Sequence, residues 1–442
     1  MDLEEVLSRI AEDRAEFVRF EQTDLHGISR SKTVPAKHVE SFARGGLNFL
    51  LGQLGFDAQA GVAPGTGYLE DQGFPDSKLF PDLDTYAVLP WADATARLLC
   101  NPHFFDGTPV PASPRLAMVR LCGELADEGY QHLAGYEYEL YLVRSEDRQP
   151  PFTGIQIFAT LRNSFDETFV TEVLRAMPRV GVDVITANCE YAGSQWEINF
   201  APGRGLSGPD NAFTFKNGVK EIAKQDGYLA TFMSKPFATS AGSGCHTHLS
   251  LLHADSGENA FADEGDPNGM NDTARSFIAG LLTYARAIDA VIAPTVNCLR
   301  RRRRHTFSPT NVSWGYEDRS ALIRVKGGSP ASKHIEYRAP SALSNPYLVG
   351  AALIQAGLRG IEDKLTAPEP SEPGVPAEED DSLEKLPTDL SESLDVLEAE
   401  PATREFFGEE FITAYTRMRR YELSRLADHV SDWERTEYLE LF

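Results

Sequence analysis

Strict alternation of polar and apolar residues marks several short segments of this chain as strands. In GYEYELYLV (135–143), Glu137, Glu139 and Tyr141 fall on one face, and Tyr138, Leu140 and Leu142 on the other. In NCEYAGSQWEINF (188–200), Gln195, Glu197 and Asn199 share a face opposite Trp196, Ile198 and Phe200, with Glu190 just upstream. GSGCHTHLSLL (242–252) alternates His246 and His248 with Cys245 and Leu249, and HIEYRAP (334–340) places Glu336 and Arg338 together. Four strands thus carry acids or histidines on one side of an apolar pattern.

The remaining pattern organises the chain. Residues 1–109 alternate strand-like runs (FVRFEQTD, YAVLPWA, ARLLCNP) with Gly/Pro loops such as GVAPGTG, which predicts a small mixed domain. PASPRLAMVRLCGELADEGY predicts a helix with Ser113 as cap, Pro114 in its first turn and Gly129 as stop. Strands and helices then alternate to about residue 364. TAPEPSEPGVPAEEDDS (366–382) is Pro- and acid-rich and reads as a surface excursion without core-forming capacity. Helical periodicity returns from LPTDLSESLDVLEAE to the end.

Buried carboxylates without partners are costly, so four acid-bearing strands need compensation. Divalent metal supplies it, and oxygen ligands with an occasional imidazole suit magnesium or manganese better than zinc. Five carboxylates and one histidine are enough for two ions. Taken singly, each segment reads more readily as a solvated or salt-bridged strand; together they favour a metal site.

Charge narrows the possibilities. The chain of 442 residues holds 66 acids against 42 bases, a net charge of −24, and only eleven of the bases are lysines. Such a surface repels nucleic acid and anionic membranes, and suits solubility in concentrated salt. No apolar run is long enough to span a bilayer. Five scattered cysteines without CxxC spacing argue against a disulfide framework or zinc ribbon and fit a reducing cytoplasm. Against this acidity stand five consecutive arginines, Arg300 to Arg304, with Arg319 and Arg324 in DRSALIR. Guanidinium groups pair bidentately with carboxylate and phosphate and spread positive charge over a transferring phosphoryl group. There is no Walker A motif, so a bound nucleotide would be held by metal and arginine.

In order, SPR, YEYEL, EYAGSQWE, FMSKPF, GSGCHTH, NCLRR, EDRSALIR, IEYR and SNPYL resemble the glutamine synthetase family. GISRSKTVPA, VLPWADATARLLC, DNAFTFKNGVKEIA and WGYEDRS are especially similar to its lengsin-like branch, which includes a structural lens protein. The resemblance implies an α+β fold. It comprises an N-terminal β-grasp domain over 1–109 and a catalytic domain over 110–442, whose curved antiparallel sheet forms half a funnel. It further implies a homo-oligomer of stacked rings, a dodecamer, with active sites between subunits. The implied reaction is phosphorylation of glutamate by ATP, followed by displacement of phosphate by an amine, with two or three Mg2+ or Mn2+ ions. By this resemblance Glu139, Glu190 and Glu197 hold the glutamate-side metal, and Glu137, His246 and Glu336 the ATP-side metal. Gly242, Arg301 and Arg338 bind glutamate, while His248, Arg319, Arg324 and Lys333 serve ATP. Arg301, Arg319 and Arg338 act on the reacting groups.

The departures bear on the amine. Ammonia-using members carry an aspartate where this chain has Leu50, and a flap glutamate where it has Phe307. A desolvated ammonium ion needs such anionic partners, so their loss points to an amine with a carbon skeleton. Asp57 is a nearby acid that would substitute. Ala241 replaces a glutamate-contacting asparagine, and His334 a phosphate-binding arginine, with Lys333 as its stand-in. The expected activity is therefore an ATP-dependent glutamate–amine ligase in the cytoplasm. True glutamine synthetase and a non-catalytic ring-forming protein are the alternatives.

Overall fold

A computed structural model of the protein describes residues 1–154, 157–164, 167–372 and 374–442. The first five strands are β1 (Phe17–Thr23), β2 (Ser29–Pro35), β3 (Leu47–Leu50), β4 (Asp76–Val88) and β5 (Thr95–His103). They form a sheet of order β2-β1-β5-β4-β3, antiparallel except for the β1/β5 pair. The helix Leu3–Glu12 starts in a capping box between Asp2 and Glu5 and buries Val6 and Ile10. These side chains join Val18, Phe20, Leu79 and Leu98 in a core separate from the larger one.

Nine further strands build the second sheet: β6 (Tyr130–Arg144), β7 (Val184–Cys189), β8 (Gln195–Phe200), β9 (Gly203–Arg204), β10 (Tyr228–Thr231), β11 (Cys245–His253), β12 (Trp314–Tyr316), β13 (Ile323–Val325) and β14 (Ile335–Tyr337). Its order is β12-β13-β14-β11-β6-β8-β7, with β9 and β10 also paired to β6. The sheet curls into half a barrel, giving an α+β architecture. Its apolar face lies under the helices Pro114–Asp127, Ser207–Gln225 and Pro346–Glu362. Tyr138 of β6 stacks on Phe215 at 5.8 Å between ring centroids, and Phe200 lies 5.2 Å from the same ring. Each fully buried side chain of this kind stabilises the fold by roughly 2 kcal/mol, which holds the strands in one register. Among the described residues no helix is long and apolar enough to cross a membrane.

Buried polar links join the first sheet to the elements packed around the second. Arg115, from the SPR segment, donates to Asp210 at 2.9 Å and to Asp82 of β4 at 2.7 Å. Asn345 donates to the Asp24 carbonyl just after β1 at 2.9 Å.

Two local expectations change. Ser113 occupies the N-cap of the helix Pro114–Asp127 but makes no side-chain capping bond; the Pro114 ring already fixes the first turn. The acid-rich segment 366–382, of which Pro373 lies outside the described residues, is not merely a solvated excursion. Trp314 Nε1 donates to the Pro368 carbonyl at 2.8 Å, and Asn311 Nδ2 to that of Ala377 at 2.7 Å. Ala377 and Glu378 are buried. The Trp314 indole of β12 and the Asn311 amide just before it supply the anchoring that the segment's own composition lacks.

Candidate active site

Strand register carries distant residues to one place. Glu137 lies opposite His246, Glu139 opposite Glu197, His248 opposite Glu336, and Glu336 opposite Arg324. Opposed residues of an antiparallel pair project to the same side, so all seven side chains share the face away from the helices. Glu190 enters from the turn after β7, where Asn188 Nδ2 donates to it at 3.1 Å. The six acids and imidazoles identified in the sequence as metal ligands, Glu137, Glu139, Glu190, Glu197, His246 and Glu336, thus belong to one face and its edge.

Their contacts are mutual. His248 Nε2 stands 2.9 Å from Glu137 Oε2, and His246 Nδ1 lies 3.5 Å from both Glu137 and Glu336. Arg338 pairs with Glu336, and Arg324 Nη1 donates to the same carboxylate at 3.0 Å. Burial and the surrounding acids push Glu197 up to about 9. Burial, opposed by Arg301 and reinforced by Glu190, pushes Glu139 up to about 7. Burial also raises Glu190. For Glu336 burial is outweighed by His246, protonated in the acid range where this carboxylate titrates, and by Arg338, which bring it down to about 2. Burial and Arg338 hold His246 at about 4, so its imidazole is neutral.

This donor set fits a hard divalent cation. Carboxylates raised by burial and mutual repulsion would be relieved by positive charge, and a neutral imidazole is the ligating form. Among the described residues, however, no three of these groups stand as a preformed ligand set. Glu336 is turned instead to Arg324 and Arg338, and Glu137 to His248, while Glu139, Glu190 and Glu197 accept from Gly244, Asn188 and Asn199.

The turn AGSG explains itself against Arg301, which is 7% exposed. A Cβ on Gly242 would lie 2.5 Å from Arg301 Cγ and 2.9 Å from the Ser234 carbonyl, and one on Gly244 would strike the Arg301 guanidinium. Both glycines are therefore required for close approach. Arg301 Nη1 donates to the Ala339 carbonyl at 3.3 Å, and Nη2 lies 3.3 Å from His246 Nε2. Arg338 Nη2 donates to the Phe307 carbonyl at 3.3 Å.

The rest of the arginine run has other employment. Arg302 makes a bidentate pair with fully buried Asp289, at 2.5 and 3.1 Å, and Arg304 pairs with Asp381. Arg300 and Arg303 are exposed. Arg319 is exposed in the loop before β13, where its charge opposes the rise of Glu190. The Lys333 ammonium donates to the carbonyls of Asn268 and Lys326, at 2.9 and 3.3 Å. His334, by contrast, packs on His248 with ring centroids 5.2 Å apart. Asp57 accepts from the Gln59 and Gly61 amides, at 2.8 and 2.7 Å, and pairs with Arg425.

Two residues placed on the polar faces by alternation, but given no role from sequence, prove to be positioning groups. Gln195 Nε2 donates to the Gly242 carbonyl at 2.9 Å and to Ser243 Oγ at 3.2 Å, and Tyr141 OH donates to the Ala241 carbonyl at 2.7 Å. Their alternation with Trp196 and Leu140 was the available signal. A cavity of about 360 Å³ adjoins Glu137 and His248, with Phe200, Pro202 and Leu249 in its walls and Lys333 and His334 at its edge.

The catalytic-domain model of glutamine synthetase matches residues 111–438. The chain belongs to the glutamine synthetase family. Over 438 residues it is 30% identical to a glutamate–isopropylamine ligase from a Pseudomonas species, covering 96% of this chain and 95% of that protein. Dog (Canis lupus familiaris) lengsin is 31% identical over 455 residues, covering all of this chain and 76% of lengsin. The solved ADP complex of GmaS superposes with a TM-score of 0.87 at 28% identity, covering 98% of this chain and 99% of that one. Membership makes the polar face that of a C–N ligase family.

Proposed function

We propose that the protein is an ATP-dependent ligase that joins glutamate, through its γ-carboxylate, to an amine larger than ammonia. The observation that carries this reading is the polar face, with six metal-type donors beside Arg301 and Arg338 and, next to it, the exposed Phe307, whose backbone carbonyl accepts from Arg338 and which stands where the resemblance expects an acid.

The γ-carboxylate oxygen attacks the γ-phosphorus of ATP, the bond to ADP breaks, and an acyl phosphate results. The amine nitrogen then attacks the acyl carbon, loses a proton, and phosphate departs. Two or three Mg2+ or Mn2+ ions would neutralise and align the carboxylate and triphosphate. Glu139, Glu190 and Glu197 would hold the ion nearer glutamate, and Glu137, His246 and Glu336 the ion nearer ATP. Gly242 offers its backbone, and Arg301 and Arg338 their guanidinium groups, to the substrate carboxylate. Arg319 and Arg324 stabilise the charge on the moving phosphoryl group. The cavity beside His248 has apolar residues in its walls, as a nucleoside base requires, with Lys333 also in its lining.

The same reading takes residues 1–109 as the N-terminal domain that completes a neighbour's site in a dodecameric ring. It places the protein in the cytoplasm of a salt-adapted cell, in keeping with its charge of −24.

The test is phosphate release from ATP with glutamate and Mg2+ or Mn2+, without amine, with ammonium, and with a panel of alkyl and aryl amines. Stimulation by one larger amine above ammonium is the expected result. Stimulation by ammonium alone would make the protein a glutamine synthetase. Silence across the panel in a folded, metal-loaded oligomer would favour a non-catalytic role of the lengsin kind.

A further inference from the structure

A second cavity, of about 640 Å³, opens between the segment following β3 and the start of the helix Glu409–Ala427. It shares no lining residue with the cavity beside His248. Leu51, Tyr68, Phe104 and Phe105 give it apolar and aromatic walls. Asp76, Glu409 and Glu410 line it as well, and no lysine, arginine or histidine does.

One of the three acids is spoken for: Arg404 Nε donates to Glu409 at 2.8 Å. Asp76 and Glu410 enter no ion pair among the described residues. Thr66 also lines the cavity, is 2% exposed, and leaves its hydroxyl without a partner among the described residues. Burial pushes the Tyr68 phenol up to about 12, a backbone bond at Ala112 opposing and the charge of Glu410 adding. Tyr68 therefore stays protonated as a neutral wall.

The sign and shape of this lining select its occupant. Uncompensated carboxylates repel anions. A hard metal ion wants about six oxygen ligands, which aromatic walls do not provide. A cation with an apolar body meets both demands, since aromatic faces attract positive charge and carboxylates pair with it. Phe105 already shows the attraction: its ring is 61% exposed and bears the Lys78 ammonium 5.8 Å from its centroid. We propose that this cavity is a binding site for an organic cation, an ammonium group carried on an apolar or aromatic body.

The proposal stands apart from the reaction assigned to the cleft, and its probe is chosen accordingly. Benzyltrimethylammonium has no N–H and cannot be acylated, so its binding is independent of turnover. Calorimetric titration of the full chain without ATP should show one site per chain. Glu410→Gln and Phe105→Ala should each weaken binding at least fivefold, with the circular dichroism spectrum and the glutamate KM unchanged. Benzyl alcohol, of similar body but neutral, should bind at least tenfold more weakly than the cation. No binding, equal binding of the alcohol, or undiminished binding in both variants would overturn the assignment. So would a fall in mass by light scattering in the variants, which would give this face to a second copy of the chain.

Discussion

Glu139 and Gly244 are bonded to each other twice. The Glu139 amide donates to the Gly244 carbonyl at 3.1 Å, and the Gly244 amide donates to Glu139 Oε2 at 3.1 Å. One bond uses the strand backbone and the other the side chain, so the glycine turn and an acid of the polar face move together. Gln195, bonded to the carbonyl of Gly242, holds the turn from the other side.

A methyl group on this turn should therefore act on substrate binding. In Gly242→Ala the new Cβ meets both Arg301 and the Ser234 carbonyl, so Arg301 must leave its place. We expect kcat/KM for glutamate to fall about a hundredfold, with much of the loss in KM. Overpacking should also lower stability, by about 1–3 kcal/mol, without unfolding the chain. Steady-state phosphate release decides the matter, and an unchanged KM would remove Arg301 from glutamate binding.

Protein stripped of divalent cation should lose stability as pH rises from 7 to 9. Glu139 and Glu197 are pushed up to about 7 and about 9 in the folded chain, well above their unfolded values. The folded state then binds more protons than the unfolded one, so stability drops as pH climbs toward the folded values. His246, held at about 4, works the opposite way, but only below about 6.5, outside this window. A loss of roughly 2 kcal/mol is expected, largely abolished by saturating Mg2+ or by Glu197→Gln. Denaturant titrations at pH 7 and 9, with and without chelator, measure it.

Arg302 and Arg303 should respond oppositely to deletion. Arg302→Ala strands the buried Asp289 carboxylate without its bidentate partner, at a cost of about 3–5 kcal/mol. Arg303 is exposed, and Arg303→Ala should change stability by less than about 0.5 kcal/mol. Urea unfolding of the two variants tests the contrast.

Phe307→Glu puts an acid at a residue that is 64% exposed and whose backbone carbonyl accepts from Arg338. If the open, uncharged border favours a larger amine, this variant should gain about tenfold in ammonium-dependent phosphate release relative to alkylamine. An unaltered ratio of the two rates would mean that Phe307 does not set amine choice.

Much of the polar face was legible in sequence because strand alternation is local: Glu137 with Glu139, and His246 with His248, declare a shared side within a few residues. The pairing of Glu137 with His246 was not legible, since register joins segments more than a hundred residues apart. The arginine run shows the same limit. Composition marks five like charges, but only the fold shows that Arg302 is consumed by Asp289, thirteen residues upstream, while Arg301 turns inward to His246. Asp57, a candidate stand-in for a missing ammonium-binding acid, proved to be fastened to Arg425 and two backbone amides. Lys333 likewise spends its ammonium on carbonyls. Charge alone does not say whether a side chain faces a substrate or its own backbone.

The second sheet keeps its chemistry and its cohesion on opposite surfaces. Trp196, Ile198, Tyr138 and Leu140 bind it to the helices, while Glu137, Glu139, Glu197 and His246 project away from them. A lineage descending from such a chain could replace the outward residues one by one without disturbing what holds it together. Loss of turnover and loss of shape are thus separable events in this architecture, and an idle descendant would keep the same silhouette.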